Sequence, residues 1–356
     1  MCGDLRETPG KSLYCRNLII TVTRSFESED RALAPLGSWN AEILQSRWKE
    51  VVEQVDGVLR DAIDCLGSQC PERLKQAISY SLLAPGKRLR PLLCVFACEA
   101  AGGTGQQALA NAAALEMIHC YSLIHDDLPA MDDDHLRRGR PTCHIQFDEA
   151  TAILAGDALQ PLAFETILKS TLSAPQLLES SLELARAAGS QGMVAGQMDD
   201  LLAESLDPSQ MPIEDQKEWL SSIHRRKTGA MIEASVLLGA IAAGATATGA
   251  TATGAASIGV PSNYRSALAT YGRGIGIAFQ IVDDLLDVES TSEKTGKATG
   301  KDAARGKLTF PGIYGIIESR AMAVRWVEDA LAALEPFDER AEGLRQVAKY
   351  ILERHS

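Results

Sequence analysis

The chain has 356 residues, of which 46% are hydrophobic, 5% aromatic and 23% charged, and its formal net charge is −12. This length allows one large domain or two ordinary ones, and the abundance of Ala and Leu over aromatic residues favours helices over strands. The acidic balance argues against nucleic acid or an anionic membrane surface as a partner, because both need a basic face. No apolar run approaches the ~20 residues that a membrane-spanning helix needs, so we expect no stable membrane insertion.

Residues 1–40 mix Gly, Ser, Pro and both charge signs without a helical period, and we expect a poorly ordered N-terminal extension there. The segment has the arginines and serines of a transit peptide, but it also has acidic residues, which such peptides avoid. The eight cysteines form no CxxC pair and no zinc-like Cys/His spacing, which indicates a reducing compartment. We therefore expect a cytoplasmic location, with organelle targeting by residues 1–40 as the alternative.

From residue 41 to the C-terminus the pattern is helical almost throughout, and we expect one domain, 41–356. Apolar residues recur at three- and four-residue spacing in several stretches: 41–66, 105–128, 150–171, 180–204 and 263–290. The Ala/Thr/Gly stretch 244–255 is interpreted as a connector. Seven prolines are expected at helix boundaries or starts: Pro141, Pro161, Pro175, Pro208, Pro212, Pro261 and Pro311. With no alternating β pattern, the predicted fold is all-α, a single large bundle of ten or more helices.

A first acidic segment ends the apolar stretch 105–128. Asp126 and Asp127 are followed by Asp132, six residues beyond Asp126. A straight helix would place Asp126 and Asp132 on different faces, but Pro129 lies between them and would kink or end the helix. We therefore expect Asp132 to turn back towards Asp126, where crowded carboxylates would require compensating cations.

A second acidic segment, Asp283, Asp284 and Asp287, ends the stretch 263–290. Helical spacing places these three carboxylates on or near one face, where they repel one another. Mg²⁺ relieves such repulsion, because it binds one or two carboxylates and completes its shell with water and substrate phosphate. One cluster alone would suit a solvated helix surface equally well, but two clusters after apolar helices favour metal sites.

Three basic segments complement the acidic ones: GKRLRP (86–91), LRRGRP (136–141) and RRKTG (225–229). Arg suits bidentate contacts with phosphate, and Lys acts as a point charge. Each segment alone would fit an ordinary charged surface. Together with the acidic segments, in an acidic protein, they predict a site that binds two diphosphates.

Five segments carry a family resemblance: SLIHDDLPAMDDDHLRRGRPTCH (122–144), AILAGDALQ (152–160), GKRLRP (86–91), HRRKTGAMI (224–232) and FQIVDDLLDV (279–288). Their sequences and order resemble those of the trans-isoprenyl diphosphate synthases, and among these they most resemble the bacterial farnesyl diphosphate synthases. The resemblance covers about residues 44–354. It implies helices around a central apolar cavity and a homodimer.

The resemblance also implies roles for individual residues. Two Mg²⁺ ions would be held by Asp126, Asp127 and Asp132, and a third by Asp283 with Asp284 and Asp287. Isopentenyl diphosphate would be bound by Lys87, Arg90, His119 and Arg138. The allylic diphosphate or its carbocation would be contacted by Arg137, Lys227, Thr228, Gln280 and Lys297, and Lys307 would approach the diphosphates on closure. The residues expected to be catalytic are Asp126, Asp127, Asp132, Lys227, Asp283 and Lys297.

The reaction implied is a Mg²⁺-assisted ionisation of dimethylallyl or geranyl diphosphate, head-to-tail condensation with isopentenyl diphosphate, and elimination of a proton, which yields farnesyl diphosphate. A geranylgeranyl diphosphate synthase is the nearest alternative. A class I terpene cyclase would not need the second acidic segment or the basic segments 86–91 and 136–141. A non-catalytic partner subunit typically loses aspartates that this chain keeps.

Product length is expected to depend on Tyr121, five residues before Asp126, or roughly 7.5 Å along a helix. An aromatic residue at this position in the family blocks growth near fifteen carbons, with Ser122 beside it and Met117 and Ala113 on the next turns. An ordinary core tyrosine is the alternative. One departure from the family is His135, where an Asp is usual; we expect activity to survive it.

Overall fold

A computed structural model describes residues 41–204, 211–245, 261–289 and 308–354. The predicted extension, residues 1–40, and most of the connector 244–255 lie outside the described residues. In the described part nearly all secondary structure is helical, which confirms the predicted all-α bundle of ten or more helices. No helix in these ranges is long and apolar enough to cross a membrane.

The helices are α1 (Ala41–Asp64), α2 (Glu72–Leu82), α3 (Leu89–Ala100), α4 (Gly105–Asp126), α5 (Cys143–Gln146), α6 (Glu149–Leu168), α7 (Ala174–Ala188), α8 (Met193–Glu204), α9 (Ile213–His224), α10 (Ala230–Ala242), α11 (Ser262–Glu289), α12 (Phe310–Tyr314), α13 (Ile316–Ala333) and α14 (Glu342–Glu353). A π-helical turn, Arg225–Gly229, joins α9 to α10. A two-residue hairpin that the sequence did not predict pairs β1 (Leu136–Arg137) with β2 (Arg140–Pro141).

The centre of the bundle is α10, which is apolar all round and buried along almost its whole length. It packs against α3, α4, α7 and α11. Gly239 lets α10 approach α3 closely, because a Cβ there would lie 2.1 Å from the carbonyl oxygen of Cys94. A helix that is hydrophobic on every face has to be enclosed by others, so the sequence of α10 determines its central place.

The helices on either side of the first acidic segment in the chain, α4 and α6, have defined starts. A capping box of Thr104 and Gln107 begins α4, and the Asp148 side chain accepts the Thr151 N–H at the start of α6. The predicted boundary at Pro161 was wrong, since α6 runs through it. Pro161 is exposed, so the lost hydrogen bond lies at the surface, where water can satisfy the freed carbonyl.

Candidate functional site

The chain turns back after α4, as Pro129 predicted. The Asp132 N–H donates to the Asp126 carbonyl at 2.8 Å, and the Asp134 N–H donates to the Asp127 carbonyl at 3.2 Å. Asp132 is thereby brought beside Asp126. Burial, reinforced by the charges of Asp132 and Asp127, raises the pKa of Asp126 to about 6, against the opposing effect of Lys227. Crowded, partly desolvated carboxylates of this kind favour a bound cation.

Asp127 plays a different part from Asp126. Its buried carboxylate accepts bonds from the Arg137 Nε at 2.8 and 3.0 Å, and the Arg137 Nη2 lies 2.7 Å from it. Burial raises the pKa of Asp127, and the bonds from Arg137 oppose that shift. The pair fixes the β1–β2 hairpin to the end of α4.

The next residue, Arg138, has a positive φ of 52° and directs its side chain to the loop before α3. Its Nη1 donates to the Pro85 carbonyl at 2.6 Å. Gly86 leaves room for this contact, because a Cβ there would lie 2.2 Å from Nη1. Two of the predicted basic segments, 86–91 and 136–141, are therefore in direct contact.

His119 lies among arginines from both segments. Burial, followed by the positive charges of Arg90, Arg138, Arg137 and Arg88, lowers the pKa of His119 well below its ordinary value. The imidazole is therefore neutral at physiological pH, and it can serve as a hydrogen-bond donor or acceptor without adding charge.

Arg90 connects this pocket to the second acidic segment. Burial lowers the pKa of its guanidinium, and the carboxylates of Glu116 and Asp283 lie close enough to oppose that shift. Its Nε is buried and has no hydrogen-bond partner within the described part of the chain. A buried cationic N–H without a partner is the kind of donor that an added anion would satisfy.

The second acidic segment lies on α11, and its members are held differently. Asp283 accepts a bond of 2.5 Å from Arg354, just after α14. Asp284 is buried and accepts the Phe310 N–H at 2.9 Å, and it lies 3.7 Å from the imidazole of His224. Asp287 is half-buried. Asp284 thus anchors the start of α12, while the Asp283 side chain remains 43% exposed.

The π-helical turn presents the third basic segment to α8. The Lys227 Nζ donates to Asp200 at 2.6 Å, and Arg226 donates to Asp199 at 2.7 Å. Gly196 of α8 touches the turn so closely that a Cβ there would lie 2.2 Å from the Lys227 backbone nitrogen. π-helical turns are rare and often occur at functional sites. Thr228, also predicted to be in the site, is buried.

Tyr121 lies on α4 and is only 6% exposed. Its ring meets that of His125 edge-on at 5.7 Å, and burial raises the pKa of its hydroxyl to about 12. One turn away, fully buried Met117 accepts a contact of 3.7 Å from the Thr166 hydroxyl of α6. Ser122 instead bonds back to the His119 carbonyl at 2.9 Å.

The predicted site residues within the described ranges thus fall on two connected groups. In the first group Asp127 contacts Arg137, and the charge of Lys227 acts on Asp126. In the second group the charge of Asp283 acts on Arg90, and Asp283 lies on the same helix as Gln280. The arginines around His119 join the groups. Lys297 and Lys307 lie outside the described residues.

Comparison with known proteins identifies the family of this chain. Residues 71–342 match the polyprenyl synthetase family. This chain belongs to that family. As a polyprenyl synthetase of the trans-isoprenyl diphosphate synthase type, it has the fold and class of reaction that the resemblance implied.

The curated relatives differ in name. "Geranylgeranyl pyrophosphate synthase 11, chloroplastic" of Arabidopsis thaliana is 44% identical over 292 residues, which cover 81% of this chain and 76% of the relative. "Dimethylallyltranstransferase" of Fischerella ambigua is 42% identical over 304 residues, 85% of this chain and 81% of the relative. Further A. thaliana relatives also carry geranylgeranyl names. By their names, the relatives favour the geranylgeranyl alternative over the expected farnesyl product.

A solved structure of an "FPP/GFPP synthase" from Zymomonas mobilis has a TM-score of 0.73 to this polyprenyl synthetase at 35% identity. It covers 88% of this chain and 100% of that chain. This structure therefore shares the fold, although its name refers to products other than geranylgeranyl diphosphate.

The residues present fit a divalent cation, although no group of three His, Cys, Asp or Glu side chains is gathered for one in the described ranges. The best donors are Asp126 and Asp132, whose crowding a cation would relieve, and Asp283, which is partly exposed. Asp127 and Asp284 already accept bonds from Arg137 and the Phe310 N–H. In a polyprenyl synthetase with these carboxylates, each Mg²⁺ ion would be bound by carboxylates on one side and by substrate phosphate on the other, which is a common arrangement for Mg²⁺.

Sequence reasoning missed Asp200 and Arg354, which pair with Lys227 and Asp283, predicted members of the polyprenyl synthetase site, and it missed Asp199, which pairs with the adjacent Arg226. Adjacent carboxylates in the apolar helix α8 are the same kind of signal as the two acidic segments, so Asp199 and Asp200 could have been found. Arg354 has no such signal, because only tertiary packing brings the C-terminal helix to Asp283. His135 is exposed, 3.8 Å from Asp133.

Proposed function

We propose that this chain condenses isopentenyl diphosphate head-to-tail with dimethylallyl and geranyl diphosphates. The observation that carries the proposal is the arrangement of charges between Asp127 and Asp283. Asp127 is paired with Arg137, the charges of Arg137, Arg138 and Arg90 act on buried His119, and the charge of Asp283 acts on Arg90. The arrangement provides two acidic groups separated by a basic pocket, as a reaction between two diphosphates requires. Family membership supports the same class of reaction.

The allylic diphosphate would bind between the acidic segments. Asp126, Asp132 and Asp283 would hold Mg²⁺, which supplies neutralisation of the diphosphate as its charge develops. Asp127 would hold Arg137 towards the same group. Lys227, held by Asp200, would lie next to Asp126 and stabilise the charge that builds up when the allylic C–O bond breaks. Thr228, Gln280, Lys297 and Lys307 remain proposed contacts.

Isopentenyl diphosphate would bind at Lys87, Arg90, Arg138 and neutral His119. Its double bond would attack the allylic cation, with much of the rate supplied by proximity. The proton released in the elimination step would pass to the departing diphosphate, because the residues around it are cationic. Apolar walls of α4 and α10 would exclude water that could quench the cation.

Two products are candidates. The names of the relatives support geranylgeranyl diphosphate better than farnesyl diphosphate, the product that we expected from the sequence. The farnesyl alternative is supported by Tyr121 and Met117, two large buried side chains on successive turns of α4, where they would stop chain growth at fifteen carbons. Thr166, the partner of Met117, also lines a cleft of about 410 Å³ between α1, α4 and α6 that is partly open to solvent. A chain that passed Met117 would therefore find space beyond it, as the geranylgeranyl product would require.

The deciding experiment supplies the purified full chain with isopentenyl and dimethylallyl diphosphates and Mg²⁺, then dephosphorylates and separates the alcohols. Farnesol as the end point supports the Tyr121 floor, and geranylgeraniol supports the alternative. Chelation of Mg²⁺ is expected to abolish turnover in either case. Absence of product from every allylic primer would refute the proposal and favour a non-catalytic partner subunit.

We also propose a homodimer. Two adjoining helices, α6 and α7, expose large apolar side chains: Ile153, Leu154, Leu168, Leu178 and Leu182. Exposed apolar groups of this density are typical of subunit interfaces. Location stays open between the cytoplasm and an organelle, and the chloroplastic names of several relatives support targeting.

A further inference from the structure

Arg88 stands between two predicted isopentenyl-binding residues, Lys87 and Arg90, but its side chain is buried. Each of its three guanidinium nitrogens has a different partner. Nη1 donates to Glu116 of α4 at 2.6 Å, Nε donates to Asp56 of α1 at 3.0 Å, and Nη2 donates to the Leu82 carbonyl at the end of α2 at 2.9 Å. One side chain therefore ties the loop before α3 to three helices.

The backbone of this loop is held in an uncommon conformation. Arg88 has a φ of 49°, a left-handed value that non-glycine residues seldom adopt and that surrounding contacts must maintain. The neighbouring carbonyls are fixed as well. The Lys87 carbonyl accepts a bond of 2.6 Å from the Trp48 indole, and the Pro85 carbonyl accepts one of 2.6 Å from Arg138.

The charge of Arg88 is already compensated. Glu116 is buried beside it, and Asp56 is partly buried, so the guanidinium adds little net attraction for a diphosphate. Its planar fork instead suits three separate acceptors, which a lysine ammonium could not reach from one atom.

We propose that Arg88 is a positioning residue that holds the loop before α3 and the first turn of α3 so that Lys87 and Arg90 both face the isopentenyl diphosphate pocket. The inference rests on the proposed binding of isopentenyl diphosphate by those two residues. It assigns to Arg88 no contact with substrate. Loss of its bonds would release the left-handed turn and move Lys87 and Arg90 away from Arg138 and His119.

The test compares Arg88→Met, the double variant Arg88→Met/Glu116→Leu, and the control Arg265→Met. The double variant removes both members of the buried ion pair, which proteins tolerate better than loss of one, so it protects the test from a folding failure. Arg265 pairs with Glu179 between α11 and α7, and its loss should lower stability without reaching the site. We measure kcat, the KM for each substrate, the melting temperature, and isopentenyl diphosphate binding by calorimetry.

Both Arg88 variants are expected to raise the KM and the dissociation constant for isopentenyl diphosphate by about 10- to 100-fold, the scale of a misplacement near 1 Å, with the allylic KM unchanged. Equal isopentenyl diphosphate binding by the wild type and the folded double variant would overturn the inference. The inference would also be overturned if the Arg88 variants raised the KM values for isopentenyl diphosphate and for the allylic substrate equally, and if Arg265→Met did the same. Failure of the proposed reaction can be distinguished from failure of this inference, because calorimetry measures isopentenyl diphosphate binding without turnover.

Discussion

At the scale of single residues, the site is built from charges that hold other charges. Asp127 holds Arg137, Asp200 holds Lys227, and Arg354 holds Asp283. A buried or partly buried ion keeps its place only when an opposite charge or several hydrogen bonds compensate its desolvation. The residues that pair with the predicted site residues are therefore as informative as the site residues themselves.

Tyr121 permits a direct test of product length. Replacement with alanine removes the ring from the wall of α4, and we expect the main product to become longer by at least one isoprene unit. Tyr121→Phe keeps the ring and serves as the matched control, with an unchanged product. An active Tyr121→Ala enzyme with the wild-type product would eliminate this tyrosine as the floor.

The position of Met117 predicts a further increase in product length. It lies one turn further along α4 and contacts Thr166, which lines the partly open cleft of about 410 Å³. Tyr121→Ala/Met117→Ala is expected to give longer products than Tyr121→Ala alone, as resolved by chromatography of the alcohols. Identical chain lengths from the two variants would show that Met117 does not limit growth.

Asp199 and Asp200 form a matched pair for testing Lys227. Both lie on α8 and each accepts a bond from the π-helical turn, but only Asp200 holds Lys227. Asp200→Asn is expected to lower kcat by about 10²-fold, the usual scale for losing one preorganised donor. Asp199→Asn, which affects Arg226, should change kcat little. A similar loss in both variants would indicate a structural effect of α8 instead.

At the scale of elements, the interactions at the start of α6 make the stability of the protein depend on pH. Bonds from the Thr151 N–H, Arg73 and the Thr151 hydroxyl lower the pKa of Asp148 to about 2. Because this folded-state pKa lies below the ordinary carboxylate value, the stabilisation is present above about pH 4 and is lost as the pH falls towards 2.

Asp148→Asn keeps the cap but cannot ionise. In urea titrations, wild type should be more stable than Asp148→Asn at pH 6, and the difference should shrink by pH 3. Asp148→Ala, which also lacks the cap, should be the least stable variant at either pH. A difference that does not change with pH would contradict the assigned pKa shift.

At the scale of the whole molecule, the apolar faces of α6 and α7 predict self-association. Leu154→Glu/Leu178→Glu places two like charges on this surface and is expected to shift the protein from dimer to monomer in sedimentation velocity. Ile317→Glu changes a still more exposed apolar residue on α13 and should leave the association state unchanged. A monomeric wild type, or a double variant that remains dimeric, would rule out this interface.

The sequence by itself determined the class of fold, and it predicted the residues that we propose for the chemistry. Helical periodicity is a local property, and the occurrence of two acidic clusters with three basic segments favours a site for cations and anions, so both can be read from neighbouring positions. The turn that returns Asp132 to Asp126 was also predicted, because it depends on the backbone geometry of a single residue, Pro129. Pro161 was misjudged because an exposed helix surface tolerates the hydrogen bond that proline removes.

Only the tertiary structure decided how these residues divide the work. Arg88, Arg90 and Arg137 look alike in the sequence, yet one is enclosed by Asp56 and Glu116, one keeps an orphaned N–H in the pocket, and one is bound to Asp127. Arg354 reaches Asp283 across 71 positions of the chain. Such pairings depend on which helices meet, and that is set by the burial of whole apolar faces around α10, not by the local pattern at either partner.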